Sequence, residues 1–165
     1  PGCPDFVTSH LGALLEPGEV INEVGGAARS EADRVLDAFH EAAAVGDGDA
    51  YAALLSTSFV FLGTDATERW EREGFEAYAR DRFLKGNTWE YRVLVRHTTK
   101  VSDDVIVFDE SLHNSNLGIC RSTGVLINER SGRGLKIAQY GLSLPIPNDM
   151  ALSVAQEIVD RGSSS

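Results

Sequence analysis

The sequence predicts an α+β domain in which helices pack on one face of a curved antiparallel sheet. The first half of the chain is dominated by amphipathic helical patterns, and the second half contains four long extended segments in succession. The length of 165 residues, 42% of them hydrophobic, suffices for one substantial core. Long antiparallel strands twist and coil, so about three helices cannot fill the whole concave side. We therefore expect a cone that encloses an apolar-lined cavity.

Two helices are predicted before the first strand. Ser30 begins a pattern with acidic residues in the first turn, and apolar side chains then recur at helical spacing until Gly46. Asp47 or Asp49 can cap a second, shorter helix. Residues 1–29 contain several prolines and glycines and are expected to form a loosely ordered lead-in to a single domain over 30–160, with 161–165 as a flexible tail.

The segment from Phe59 to Trp70, read F-V-F-L-G-T-D-A-T-E-R-W, connects the helices to the sheet. Phe59–Leu62 is predicted to be a buried strand, and a polar turn follows it. Asp65 and Glu68 have the spacing of a capping box, which predicts that a third helix starts here. Gly86 suits the left-handed residue that ends such a helix.

Four strands are predicted next, separated by short polar turns typical of hairpins, so that an antiparallel meander is the simplest topology. They are Trp89–Val101, Val105–Asn114, Ile119–Arg130 and Leu135–Leu144. A final helix is expected around Leu152–Val159.

Charge and composition argue against several classes of function. The formal net charge of −10 repels nucleic acid phosphates and anionic membranes, and no apolar run is long enough to span a bilayer. Cys3 and Cys120 match no metal-binding spacing, so neither a metal nor a cofactor is expected. The chain does not begin with Met, which we interpret as processing, trimming or a fragment. A cytoplasmic location is the default expectation.

These motifs carry a resemblance to a known family. The element order, the segment F-V-F-L-G-T-D-A-T-E-R-W, the strand V-F-D-E-S-L, the segment R-S-T-G-V-L and the ending L-K-I-A-Q-Y-G-L-S-L-P-I-P-N-D resemble SnoaL-like proteins of the nuclear transport factor 2 superfamily. The resemblance covers about residues 30–160. It implies a cone-shaped fold and frequent homodimerisation through the sheet. It also implies a cavity that relatives use as ketosteroid isomerases, polyketide cyclases, scytalone dehydratases or epoxide hydrolases, or only for binding and assembly.

Strand alternation predicts which side chains face the cavity. Trp89, Tyr91, Val93 and Val95 are predicted to face inward, with Arg96 on the exposed face. The Gln139 face of the last strand, which includes Leu135, Ile137 and Gly141, is taken as inward, with Tyr140 opposite. In the middle strands the inward sets are predicted to be Asp109, Ser111 and His113, and Arg121, Thr123 and Val125.

Three charged residues are the candidate catalytic group. Asp109 lies in an apolar strand and needs a partner if it is buried, and Arg121 is the natural one. Asp65 is a candidate because a carboxylate at a cavity mouth flanked by aromatic residues is expected to have a raised pKa. The three residues together are the nearest analogue here of the Asp–Arg–Asp arrangement that the resemblance to epoxide hydrolases implies. Two structural interpretations stay open. Asp109 and Arg121 can form a buried ion pair with a purely structural role, and Asp65 can cap a helix. Glu110 replaces Asp109 if the strand parity is reversed.

Candidate substrate-binding residues are Trp70, Trp89, Tyr91, Gln139 and His113. The aromatic residues can line a ligand site or simply pack in the core. Gln139 can hold a ligand carbonyl or bond neighbouring strands, and His113 can act as acid or base or lie on the surface. His40 has no supporting neighbours in the sequence.

Two functions are consistent with these residues. The first is a cofactor-free enzyme that acts on a small, mostly apolar molecule by acid–base or water-activating chemistry, of the epoxide hydrolase, isomerase or dehydratase type. The second is a non-catalytic binding or assembly domain. In both, we expect a homodimer through the sheet face and no nucleic acid or membrane partner.

Overall fold

The computed structural model describes residues 29–129 and 134–162, so most of the predicted lead-in and the last three residues of the predicted tail lie outside the described residues. The elements in chain order are α1 Glu31–Val45, α2 Gly48–Ala53, β1 Leu55–Leu62, β2 Arg69–Glu71, α3 Arg72–Leu84, β3 Arg92–Lys100, β4 Val105–Asn114, β5 Gly118–Asn128, β6 Leu135–Ser143 and α4 Ala151–Gly162.

The first helix begins and ends where its sequence predicts. The Ser30 side chain accepts a hydrogen bond from the backbone N–H of Asp33, and the Asp33 side chain accepts one from the Ser30 N–H. Gly46 ends the helix with φ 73°, a left-handed conformation that glycine adopts without strain. Asp47 then caps α2 by accepting from two backbone N–H groups. The apolar face of α1 is buried against the sheet.

The six strands form one curved, open sheet in the order β2-β1-β6-β5-β4-β3. The predicted meander is confirmed, because β3, β4, β5 and β6 pair antiparallel in succession. Strand β1 adds to this meander by pairing parallel to β6, and β2 pairs antiparallel to β1 at the edge. Helices α1, α2 and α3 contribute the buried residues on the helical side, whereas α4 has no buried residue.

The turn after β1 differs from its prediction. Asp65 and Glu68 do not start the third helix, because the chain first returns as β2 and α3 begins only at Arg72. Asp65 accepts hydrogen bonds from the N–H and hydroxyl of Thr67 at 2.8 and 2.6 Å. The Gly63 N–H donates to the Glu68 carbonyl at 2.8 Å, which closes the turn. The local pattern of a capping box thus serves a hairpin turn instead.

The predicted parity of the two middle strands is wrong. In β4 the buried residues are Phe108, Glu110, Leu112 and Asn114. Asp109 therefore lies exposed on the outer face of the sheet, opposite Thr123 of β5. Both faces of these strands carry apolar residues, so the alternation fits either orientation.

Two β-bulges reverse the parity of β3 and β6, the first and last strands of the meander, partway along their length. Val93 pairs with Leu112 and Val95 with Ser111, so Leu94 is an extra residue. Beyond it, Arg96 points to the helical side instead of the exposed face.

In β6 the extra residue is Ala138, because Ile137 pairs with Leu126 and Gln139 with Val125. Leu135 and Ile137 are buried as predicted, but Gln139 is exposed and Tyr140 is buried.

Gly124 of β5 is required by the close packing of the sheet. A Cβ atom at this position would collide with the ring of Phe108 and with the carbonyl oxygen of Gln139. We predict that Gly124→Ala lowers the free energy of unfolding by about 1–3 kcal/mol, since extra volume in a packed core forces its neighbours to move. Urea denaturation measures this change.

Gly141 of β6 is the matched control, because a Cβ atom there meets its nearest neighbours at 3.5 Å, an ordinary contact distance. Gly141→Ala should lower the free energy of unfolding by less than Gly124→Ala does. Equal losses for the two variants would contradict the close packing described at Gly124.

Candidate functional site

A cavity of about 320 Å³ lies between the helices and the inner face of the sheet. Its walls are largely aromatic, so that an apolar ligand would find many ring contacts. The principal rings are those of Trp70, Phe75, Tyr78, Trp89, Tyr91 and Tyr140.

A buried carboxylate stands behind one wall of this cavity. Glu110 of β4 is 1% exposed, and its Oε2 lies 2.9 Å from Nε2 of His40 on α1. The Ser122 hydroxyl of β5 donates to the same oxygen at 2.7 Å. The guanidinium Nε of Arg96 on β3 donates to Oε1 at 2.7 Å. Both carboxylate oxygens are therefore bonded, and His40 is the member of this group that lines the cavity.

Arg96 also ties the sheet to the first helix. Its Nη1 lies 2.8 Å from Asp37 and 3.4 Å from Asp33, both on α1. The Arg96 side chain is 10% exposed. Together with the His40–Glu110 contact, these ion pairs fix the position of α1 over β3 and β4, and so fix the imidazole at the cavity wall.

The charges and hydrogen bonds around Glu110 lower its pKa by more than burial raises it. Burial alone raises the pKa of this carboxyl, but the hydrogen bond and charge of His40, the hydrogen bond from Ser122 and the charge of Arg96 lower it. The net pKa lies below the ordinary value of about 4.5. Glu110 is thus a carboxylate at neutral pH and acts as a fixed negative charge behind His40.

Two tyrosines of the cavity wall have raised pKa values. Burial and the charge of Glu110 raise the pKa of Tyr140 well above its ordinary value, and its hydroxyl is hydrogen-bonded to the Ser122 side chain. Burial, with a smaller contribution from Cys120, raises the pKa of Tyr91 to about 12. Both side chains line the cavity and stay protonated at neutral pH. Because Ser122 donates its hydrogen to Glu110, the Tyr140 hydroxyl directs its own hydrogen to Ser122, and Tyr91 is the one of the two that can donate to a ligand oxygen.

The cavity also contains a guanidinium group. Arg82 of α3 lies over the rings of Trp89 and Tyr78, with its Cζ 5.2 and 5.9 Å from the ring centroids. Its Nε is buried and has no hydrogen-bond partner among the described residues.

The structure brings some of the predicted site residues to the cavity and separates others from it. Trp70, Trp89 and Tyr91 are part of the lining, and their role in binding a substrate stays a prediction. In contrast, the expected convergence of Asp109, Arg121 and Asp65 is wrong. Asp109 and Arg121 are exposed on the outer face, and Asp65 is exposed in the turn after β1. His113 and Gln139 also lie on the outer face, opposite Ile119 and Val125.

Sequence reasoning missed His40, Arg96, Tyr140 and Arg82, and kept Glu110 only as an alternative. A pattern that points to His40 was nevertheless present. His40 follows Leu36 by four residues, so it lies on the buried face of an otherwise apolar helical stripe. A titratable side chain on such a face requires a partner in the sheet.

Within residues 29–129 and 134–162, no three His, Cys, Asp or Glu side chains group in a way that could hold a metal ion. Over the same ranges, each helix is too short or too polar to cross a membrane. The cytoplasmic location stays a prediction.

The sequence profile described as a SnoaL-like domain matches residues 33–147. The chain belongs to this SnoaL-like family. The resemblance predicted from the sequence motifs is confirmed. A comparison with curated proteins finds no match.

Solved structures share the fold of this SnoaL-like protein. A candidate ketosteroid isomerase from Shewanella frigidimarina is 18% identical with a TM-score of 0.55, covering 69% of this chain and 95% of that one. A candidate dehydratase of the NTF2-like family from Streptomyces avermitilis is 13% identical with a TM-score of 0.58, covering 71% and 95%. A candidate calcium/calmodulin-dependent protein kinase II association domain from Xanthomonas campestris is 24% identical with a TM-score of 0.52, covering 72% and 87%. At these identities the likeness shows the fold alone.

The Glu110 carboxylate should make stability dependent on pH. Because its pKa in the folded protein lies below the unfolded value of about 4.5, it stabilises the fold above that pH, and this contribution is lost as the pH falls through the folded pKa. We predict that Glu110→Gln costs about 3 kcal/mol at pH 7, since it leaves His40 and Arg96 without their anion. Urea unfolding of both proteins between pH 7 and pH 3 measures the difference.

The difference in the free energy of unfolding between wild type and Glu110→Gln should shrink below about pH 4.5. Titration of the remaining carboxylates occurs in both proteins and cancels in this comparison to first order. A difference that stayed constant down to pH 3 would contradict a charged Glu110.

Proposed function

We propose that this SnoaL-like protein is a cofactor-independent enzyme that transfers a proton within a small, mostly apolar molecule, with His40 as the acid–base group. The observation that carries the proposal is the 2.9 Å contact between His40 Nε2 and Glu110 at the wall of an aromatic cavity. A histidine oriented by a buried carboxylate is a common acid–base arrangement in enzymes. Among the cavity groups, His40 is the one with such an orienting partner.

The geometry assigns different tasks to the two ring nitrogens of His40. Nε2 is held by Glu110, so its hydrogen points to the carboxylate and fixes the tautomer. Nδ1 is then the nitrogen that can take a proton from a ligand and return it. The negative charge of Glu110 stabilises the imidazolium that forms during this transfer.

A carbonyl compound with an acidic C–H bond fits these groups. His40 removes the proton from the carbon beside the carbonyl, and the electron pair of the broken C–H bond moves onto the carbonyl oxygen. Tyr91 stays protonated and can donate a hydrogen bond to that oxygen as charge develops on it. Return of the proton to another carbon completes an isomerisation, whereas loss of a hydroxide with that proton as water completes a dehydration.

Water-activating chemistry of the epoxide hydrolase type has less support in this cavity. It needs a carboxylate free to accept a proton from water. Both oxygens of Glu110 are occupied by His40, Ser122 and Arg96, which leaves Glu68 of the lining as the carboxylate for such a step. Glu68 is held by the Asp65 N–H and lies next to the exposed turn after β1. The fold relatives named as a candidate isomerase and a candidate dehydratase agree with the proton-transfer proposal.

Assembly through the outer face of the sheet is a second proposal, for which exposed apolar residues give a reason. Val95, Val107 and Ile119 lie on this face and are 49%, 37% and 51% exposed. Asp109 and Arg121 stand as diagonal neighbours on the same face and form no ion pair within the described part of the chain. We propose a symmetric homodimer in which Asp109 of each copy pairs with Arg121 of the other.

Catalysis is tested with a panel of ketosteroids, hydroxy-ketones of polyketide type and epoxides, followed by mass spectrometry in deuterated water. We predict that the wild-type protein isomerises, dehydrates or deuterates at least one carbonyl compound. His40→Gln should lower that rate by about 10²–10⁴-fold, because the proton acceptor is lost.

His97→Gln is the matched control, since His97 is an exposed histidine on the outer face of β3. It should leave the rate unchanged. The proposal fails if wild type acts on no carbonyl compound in the panel, or if the His40 and His97 variants are equally active.

The dimer is tested by charge exchange. Arg121→Glu should shift the protein toward the monomer in sedimentation velocity, weakening self-association by about tenfold or more, because like charges then face each other. The double variant Asp109→Arg with Arg121→Asp should restore the dimer. A monomeric wild type, or a double variant no better than the single one, would rule out this pairing.

A further inference from the structure

We infer that the substrate of the proposed enzyme carries a carboxylate, and that Arg82 binds it. This inference rests on the proposed function for the site and adds a substrate class to it. Its starting point is the guanidinium of Arg82, a cation that lines the cavity and has no acidic partner in the described part of the chain.

The environment of Arg82 differs from that of the other arginines on the same helix. Arg72 and Arg80 both lie within ion-pair distance of Glu76, and Arg80 also pairs with Asp49. Arg82 instead stacks on the rings of Trp89 and Tyr78, with its Nε buried and unbonded. A buried donor without a partner is costly, so an acceptor supplied by the ligand would remove that cost.

The carboxylate already present in the lining does not fill this role. Glu68 lines the cavity, but its Oε2 accepts a hydrogen bond from the Asp65 N–H at 3.2 Å. No ion pair joins Glu68 to Arg82 in the described residues. The guanidinium is therefore left for a ligand, and its planar fork of N–H donors matches the two oxygens of a carboxylate.

A row of neighbouring rings leads from the proposed acid–base group to the cation. The centroids of His40 and Phe39 are 5.9 Å apart, those of Phe39 and Tyr51 4.4 Å, and those of Tyr51 and Trp89 6.2 Å. Arg82 lies over Trp89 at the end of this row. Tyr91, whose ring centroid is 6.4 Å from that of His40, lies in the same lining, so a substrate that contacts both Arg82 and His40 would place an apolar body against these rings. This describes a small cyclic or aromatic carboxylic acid.

The inference is tested by calorimetric titration with two ligands of the same shape, naphthalene-2-carboxylate and naphthalene-2-carboxamide. Wild type should bind the carboxylate at least about tenfold more tightly than the amide, because only the anion forms charge-assisted hydrogen bonds with Arg82. Arg82→Gln should lose this preference and still bind the amide. Arg82→Lys should retain part of it, since the charge remains without the fork.

Arg69→Gln is the matched control, because it removes the same charge from an exposed side chain beyond the cavity lining. It should keep the full preference for the carboxylate. The inference is overturned if wild type does not bind the carboxylate, if it binds both ligands equally, or if Arg82→Gln keeps the preference.

His40→Gln separates this inference from the proposed reaction. It should keep the preference for the carboxylate, because His40 does not form the anion site. If the Arg82→Gln variant loses the preference and the His40→Gln variant keeps it, the anion site is supported even when His40 proves inactive in catalysis. Retention of the preference in Arg82→Gln overturns the anion site while leaving the role of His40 intact.

Discussion

The carboxylate of Glu110 lies almost out of reach of solvent, and the arrangement of the helical layer on the sheet depends on how its charge is satisfied. Three different elements supply the partners: His40 comes from α1, Arg96 from β3 and Ser122 from β5. Removal of any partner would leave part of a buried charge unbonded. The same contacts that hold α1 on the sheet also present the imidazole to the cavity, so stability and the proposed chemistry share one network.

Much of the fold can be predicted from local sequence patterns. Helix α1 has its capping box and its terminal Gly46, and the strand β4 has the predicted bounds Val105–Asn114. Short polar turns predicted the meander, which is what the sheet contains. The small strand β2 was missed because its three residues are too few to establish an alternation. Asp65 and Glu68 were misread because a capping box and a hairpin turn use the same short-range hydrogen bonds.

The candidate site was less predictable, and the reason lies in the geometry of the strands. A bulge adds one residue to a strand, and the alternation of apolar and polar residues in the sequence does not reveal it. Leu94 and Ala138 therefore each reverse the parity of the later residues in their strand. Arg96 was therefore placed outside and Gln139 inside, each on the wrong face. Pairing between distant elements, such as His40 with Glu110, arises only once the chain is folded.

The measurement that tests this account most directly is the tautomer of His40, read from the nitrogen shifts of ¹⁵N-histidine-labelled protein at pH 8. Our account predicts hydrogen on Nε2, directed at Glu110, and none on Nδ1, the atom that must accept a proton. Glu110→Gln, which removes the charge, should disturb this preference, whereas His97→Gln should not. Hydrogen on Nδ1 in the wild-type protein would contradict the account, because the nitrogen that is not bonded to Glu110 could then accept no proton.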